Sequence, residues 1–221
     1  SSLFSLLVSH IQYVTLPGIG LIELGVWGYL VTIFWLVLLM NAFNFMDGSN
    51  GLAAGTAAVG LAWVSVIAGG AGASLLFASA FLLALAATGF LPQNLKCGKL
   101  FMGDNGSQSL GFLIAAFGVL GVNWTGGRMS ALIVPVIFAP LIFDVIWTLI
   151  SRLIRGENIF EAHREHLYQL MIRSGASHAA VAVVYMGMVS LSAGAAALLL
   201  TLPYSLQWLL VQTAACVVAA L

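Results

Sequence analysis

The sequence predicts an all-α polytopic membrane protein with about seven transmembrane helices plus a short extracytoplasmic β-hairpin. Three observations predict it. The chain is 62% apolar and 6% charged, whereas soluble domains run about 45–50% apolar and about 25% charged. Its apolar residues gather in runs of span length. Its cations collect in alternate connections between those runs. The same composition excludes a disordered chain. With 7 Lys+Arg against 7 Asp+Glu, no basic surface points to nucleic acid. Cys97 and Cys216 form no CxxC pair, so neither a disulfide framework nor a thiolate metal site is expected.

Six full spans are expected, over about 26–44, 51–69, 72–92, 107–123, 129–151 and 177–201. A seventh begins near Ser205 and runs to Leu221, and residues 1–9 read as the tail of another. Between that tail and the first full span, Ile11 to Leu24 carries two short apolar stretches around Pro17-Gly18, a hairpin pattern. The chain starts at Ser1 with no signal-peptide pattern, so the true N-terminus is expected upstream. The whole chain, 1–221, reads as one transmembrane helical domain, the C-terminal two-thirds of a larger protein.

Connections alternate sides. The loops at 45–50, 93–106 and 152–176 share one side, with Lys96, Lys99, Arg152, Arg155, Arg164 and Arg173. The other side holds only Arg128. The positive-inside rule makes the first side cytoplasmic.

That side also collects the unusual polar residues. Its first loop region reads Asn41-Ala-Phe-Asn44-Phe-Met-Asp47-Gly48-Ser49-Asn50-Gly51. Its second holds Asn94, Lys96, Lys99, Phe101 and Gly103-Asp104-Asn105-Gly106-Ser107. Its third holds His163-Arg164-Glu165-His166-Leu-Tyr168-Gln169 and is expected to open a helix, with His163 and His166 pointing into one site. The first two loops each set an Asp in a Gly-rich turn just before a span. A helix N-terminus attracts phosphate, and a carboxylate beside it makes sense when a divalent cation lies between. The patch therefore reads as a site for a pyrophosphate with Mg²⁺. Taken singly, each Asp-Gly segment could be a plain turn; two on one face favour a site. Two His at i, i+3 could also hold Zn²⁺, but no third ligand is spaced to join them. Asp144 lies about two turns inside a span, and two readings stay open: a structural pair with Arg152, or a role in the site.

These motifs resemble the polyprenyl-phosphate N-acetylhexosamine-1-phosphate transferases, glycosyltransferase family 4, which include the phospho-MurNAc-pentapeptide translocase. The carrying residues are Asn41-x-x-Asn44-x-x-Asp47-Gly48-x-x-Gly51-Leu52, Asn94 with Phe101-Met-Gly-Asp104-x-Gly-Ser, and His163-Arg-Glu-His166-Leu-Tyr-Gln. The last is most similar to the O-antigen and capsule-initiating branch. The resemblance implies transfer of an N-acetylaminosugar-1-phosphate from a UDP-sugar to undecaprenyl phosphate, releasing UMP, with Mg²⁺ (Mn²⁺ as an alternative). It implies a multi-pass protein of the bacterial inner membrane with its site on the cytoplasmic face, and leaves a homodimer open. By the resemblance Asp104 holds the metal. Asp47 and Asn94 contact uridine, Phe101 packs on the base, and His163 and His166 bind the diphosphate or sugar phosphate. Asp47, Asp104, His163 and His166 are then the catalytic candidates. Asn41, Asn44, Asn50, Asn94, Lys99, Phe101 and Arg164 are the substrate-binding ones.

Two departures stand out. The family carries an Asp-Asp motif upstream, and no Asp precedes Asp47 here. The expectation for this chain alone is nucleotide recognition without transfer. Asn50 stands where the family usually has a second Asp, keeping the hydrogen-bonding shape but losing a charge. A secondary transporter or an intramembrane aspartyl protease are the alternatives. The first would put its polar residues near the midplane, and the second needs two facing Asp within spans, whereas here the polar residues cluster at one face.

Overall fold

The computed structural model describes residues 10–16, 20–97, 100–158, 161 and 164–201. A hairpin of β1 (Tyr13–Leu16) and β2 (Gly20–Glu23) pairs antiparallel with Tyr13 opposite Glu23 and Leu16 opposite Gly20. Eight helices follow among the described residues: α1 (Trp27–Met46), α2 (Leu52–Gly70), α3 (Ser74–Cys97), α4 (Gly103–Thr125), α5 (Ile133–Ile137), α6 (Ala139–Ile154), α7 (Leu167–Arg173) and α8 (His178–Thr201). Five of them, α1, α2, α3, α4 and α8, are long and apolar enough to cross a membrane. The expected seventh span at 205–221 and the tail at 1–9 lie outside the described residues.

The expected span at 129–151 is not one helix. It breaks at Phe138 between α5 and α6, and α6 then runs on to Ile154. Pro140 sits in the first turn of α6, where its missing N–H leaves no helical bond unmade. The opposite happens in α3, whose apolar run ends at 92 while the helix continues through Pro92 for more than a turn. That extra turn carries Asn94 to the start of α2.

The centre of the bundle is α2, the most buried of the five long helices, packed mainly on α3 and α8, while α1 packs on α4. Small residues allow this. A Cβ on Gly60 would lie 2.2 Å from the Phe138 ring, and one on Gly111 would lie 2.5 Å from the Leu39 carbonyl oxygen. In a bundle of apolar helices, close approach of backbones is what supplies packing energy. Phe138, at the break, is fully buried against Gly60 and Phe43, so the kink fills the core rather than disrupting it. The hairpin is tied to the start of α1 by the Ile11 N–H on the Thr32 hydroxyl at 2.8 Å. It therefore marks the end of the bundle opposite the Asp47 and Asp104 loops.

Candidate active site

At the other end of α1, Asn41, Asn44 and Asp47 fall on the last two turns and the cap. The three do different things. Asn41 folds back on its own helix, donating to the Val37 carbonyl at 2.8 Å. Asn44 donates to Asp104 Oδ1 at 3.0 Å and to the Ser107 hydroxyl at 3.2 Å. Asp47 Oδ2 accepts the Gly103 N–H, the first of α4, at 3.0 Å. That N–H lacks an intrahelical partner and sits at the positive end of the helix, so a carboxylate suits it.

The sequence pattern puts Asp104 in a loop just ahead of a span. It lies instead within the first turn of α4, because the helix starts at Gly103 with Asp47 closing its end. Two motifs far apart in sequence are thus locked into one carboxylate pair. Burial pushes Asp47 up to about 6; the Gly103 N–H pulls it down, and the Asp104 charge raises it further. Among the described residues these bonds engage Asp47 Oδ2 and Asp104 Oδ1.

The loop between α1 and α2 is shaped by glycine and asparagine. Gly51 adopts φ +79°, and a Cβ there would also strike the Leu95 side chain. Its N–H donates to Asn94 Oδ1, while Asn94 Nδ2 donates to the Leu100 carbonyl at 2.8 Å. Asn94 is 2% exposed, so its amide ties the first loop to the second. Ser49, also buried, bonds His178 Nδ1 at 2.9 Å at the head of α8. Asn50 is half-buried, and Phe101 stands out at 57% exposure beside Asp104.

The third segment departs most from expectation. The helix starts at Leu167, so His166 stands just ahead of it rather than within it, and the expected pairing with His163 falls outside the described residues. His166 is the N-cap in extended conformation, and its N–H donates to Gln169 Oε1 at 3.2 Å. The reason is Asp144. Its carboxylate accepts the Leu167 N–H at 2.8 Å and the Tyr168 N–H at 3.3 Å, supplying the cap from another helix. It also bonds His166 Nδ1 at 3.2 Å and the Tyr185 hydroxyl at 2.6 Å.

The open choice for Asp144 therefore resolves away from Arg152. That guanidinium instead donates to the Asn158 carbonyl at 2.8 Å and faces Glu157 at 3.5 Å. Tyr168, fully buried, donates its hydroxyl to the Phe45 carbonyl at 2.8 Å, and burial pushes that hydroxyl up to about 12, so it stays a donor. The His166 ring lies 5.3 Å from that of Phe45. Arg164 is exposed, with its carbonyl held by Arg173. Lys99 and His163 lie outside the described residues.

The polar end thus assembles three segments: Asn44-Asp47 with Asp104, Asn94 beneath them, and His166-Tyr168 alongside. A model of glycosyl transferase family 4 matches residues 1–122, more than half of the chain. The chain belongs to glycosyl transferase family 4.

The match covers both halves of the carboxylate pair. Other family 4 proteins are similar over more of the chain. A Bacillus subtilis protein named as a probable undecaprenyl-phosphate N-acetylglucosaminyl 1-phosphate transferase is 33% identical over 165 residues, 74% of this chain and 46% of its own length. The decaprenyl-phosphate N-acetylglucosaminephosphotransferase of Mycolicibacterium smegmatis is 31% identical over 208 residues, 84% of this chain and 51% of its own. The phospho-N-acetylmuramoyl-pentapeptide-transferase of Lactiplantibacillus plantarum is 37% identical over 147 residues, 66% and 44%. The chain spans about half the length of the curated relatives it matches. Sequence reasoning finds Asp47 and Asp104 through their glycine turns. It places Tyr168 and Ser49 within motifs but gives them no role, and it misses Tyr185 and His178, whose only signal is a polar residue in or beside an apolar run.

Proposed function

We propose that this family 4 protein transfers an N-acetylaminosugar-1-phosphate from a UDP-sugar to undecaprenyl phosphate, releasing UMP. The product would initiate a lipid-linked cell-surface glycan at the cytoplasmic face of the bacterial inner membrane. The observation that carries the reading is the locked pair: Asp47 on the Gly103 N–H and Asp104 on Asn44, at the cation-rich end of an apolar bundle. In the reaction an oxygen of the acceptor phosphate bonds to the sugar-bearing phosphorus of the UDP-sugar. The phosphorus–oxygen bond to the UMP phosphate breaks, and UMP leaves with that oxygen.

The donor set fits Mg²⁺. No group of three or more His, Cys, Asp or Glu gathers among the described residues, and Mg²⁺ is held by one or two carboxylates together with substrate phosphates and water. Two adjacent carboxylates, one pushed up towards neutrality, are also an arrangement that a cation relieves. Mn²⁺ would suit the same oxygens. When bound, the ion supplies charge neutralisation on the diphosphate.

The protein's own residues do the rest. Asn44 holds Asp104 in place, Asn94 fixes the floor between the first two loops, and Phe101 offers an exposed aromatic face to a base. His166 and Arg164 border the side where phosphate charge would lie.

The test is UMP release by the full-length protein, purified in detergent, with UDP-N-acetylhexosamines, undecaprenyl phosphate and Mg²⁺. Release is expected only with all three present and should stop on chelation. No UMP with any such donor would overturn the reading and reopen the transporter and protease alternatives.

A further inference from the structure

The carboxylate of Asp144 is fully buried in the second turn of α6, and five donors converge on it. Only one of them, the Tyr185 hydroxyl, comes from a neighbouring long helix. The Thr148 hydroxyl, at 3.4 Å, comes from α6 itself, and the other three come from three consecutive residues, His166, Leu167 and Tyr168. A residue serving only to hold the bundle would need no more than the Tyr185 bond that joins α6 to α8. This one gathers the segment that carries the site histidine.

The chain of contacts then continues towards the carboxylate pair. Tyr168 donates to the Phe45 carbonyl, two residues before Asp47, and its hydroxyl fills the space over Gly48, where a Cβ would lie 2.3 Å from it. The Phe45 ring faces the His166 ring. Asp144 on Nδ1 also fixes which ring nitrogen of His166 carries the proton, directing Nε2 away from the carboxylate.

Resting on the transferase reading above, we propose that Asp144, braced by Tyr185, is a positioning residue of the site. It acts through His166 and Tyr168 to set the third segment against the Asp47 turn, and so sets the orientation of the His166 imidazole. Asparagine cannot replace it. A carboxamide at this position offers one oxygen, and its NH₂ confronts N–H donors that need an acceptor.

The test uses Asp144→Asn and, because that variant removes most of a buried network, the milder Tyr185→Phe, which removes one hydroxyl. Misplacing a site group by about an ångström costs about 10²-fold in turnover. Asp144→Asn should therefore lose about that much in kcat, with KM for the UDP-sugar held within about threefold, since the substitution removes neither the Asp47–Gly103 nor the Asp104–Asn44 bond. Tyr185→Phe should show the same split at about tenfold in kcat.

The second readout needs no turnover. His166, 2% exposed, should resist diethyl pyrocarbonate in the wild type, and Asp144→Asn should label there about tenfold faster through local opening. Wild-type kcat in both variants would overturn the proposal. So would equal losses in kcat and UDP-sugar affinity, which would make Asp144 a general support of the bundle. If the wild type transfers no N-acetylhexosamine phosphate, the function reading has failed and labelling alone decides. Unchanged His166 labelling in Asp144→Asn then overturns the positioning role, and faster labelling sustains it.

Discussion

Asp47 and Asp144 are the same residue type at the same end of the molecule, in opposite circumstances. Asp144 is sealed from solvent and meets five donors. Asp47 is half-buried, meets one backbone N–H among the described residues, and has a second carboxylate for a neighbour. A buried carboxylate with its acceptor sites filled is a structural anchor, because its desolvation is offset by charge-assisted bonds. One that is partly desolvated, thinly bonded and next to a like charge is under-satisfied, and a cation or a cation-bound phosphate completes it. On the proposed function, the difference separates the part of the site that holds from the part that would bind.

The comparison breaks first at the binding carboxylates. Asp104→Asn in the full-length protein should cut Mg²⁺-dependent UMP release by about 10²–10³-fold, the usual scale for losing one charge-stabilising group. Folding should be preserved, because Asn keeps the oxygen that Asn44 bonds. Undiminished release would make Asp104 a turn residue and remove the distinction.

On the holding side the loss should appear in stability. Asp144→Leu leaves His166, two backbone N–H groups and the Tyr185 hydroxyl facing an apolar side chain. Breaking a buried polar cluster on one side costs about 3–5 kcal/mol. Thermal unfolding in detergent should show that loss for Asp144→Leu and none for Asp104→Asn. Equal melting points for the two would erase the contrast.

How much of this is legible in the sequence differs between the two carboxylates. The long spans can be read from apolar runs, and the gathering of three loops at one end from their parity. Asp47 and Asp104 can be read because a glycine turn and a nearby helix start are local features. Asp144 is visible as an ionisable residue in an apolar run, but its partners are not. Arg152 shares its helix face at i+8 and offers a charge, yet α6 turns Asp144 inward to residues 22 to 41 positions away. No periodicity encodes such a pairing. The start of α7 is hidden in part for the same reason, since its first two N–H groups are met by Asp144 of α6. The break at Phe138 has a local sign in Pro140, but the apolar run continues across it and hides the break from hydropathy.

The junction between the two halves can be probed at Gly48. Its backbone is ordinary, with no positive φ, so only space requires glycine there. Gly48→Ala drives a methyl into the Tyr168 hydroxyl, and overpacking of this kind costs about 1–3 kcal/mol. Adding Tyr168→Phe removes the obstructing oxygen and should recover much of that loss, even though Tyr168→Phe alone gives up the bond to Phe45 worth about 1 kcal/mol. A double-mutant cycle on thermal unfolding reads the coupling. Strictly additive losses would mean that the turn and α7 are not in contact and that the two halves are independent.

The smallest effect sharpens the comparison most, because it follows a proton on Asp47 itself. The ordinary value for this carboxyl is 3.8, and in the folded chain it is about 6. Between those values the folded state holds a proton that the unfolded state has released. Stability from this group is therefore present at low pH, falls as pH rises from about 4 to about 6, and levels off above that. The opposite sign applies to the common surface carboxylate, whose folded value is lowered. Melting curves from pH 4.5 to about 7.5 should thus differ between wild type and Asp47→Asn: the variant lacks this decline and gains relative to wild type above about pH 6. Mg²⁺ should narrow the gap at neutral pH by engaging the ionised form. UMP release should run the other way and fall as pH drops through about 6, since protonation removes the charge that the cation needs. If wild type and Asp47→Asn melt in parallel across the whole range, Asp47 is as well satisfied as Asp144, and the binding half of the site lies elsewhere.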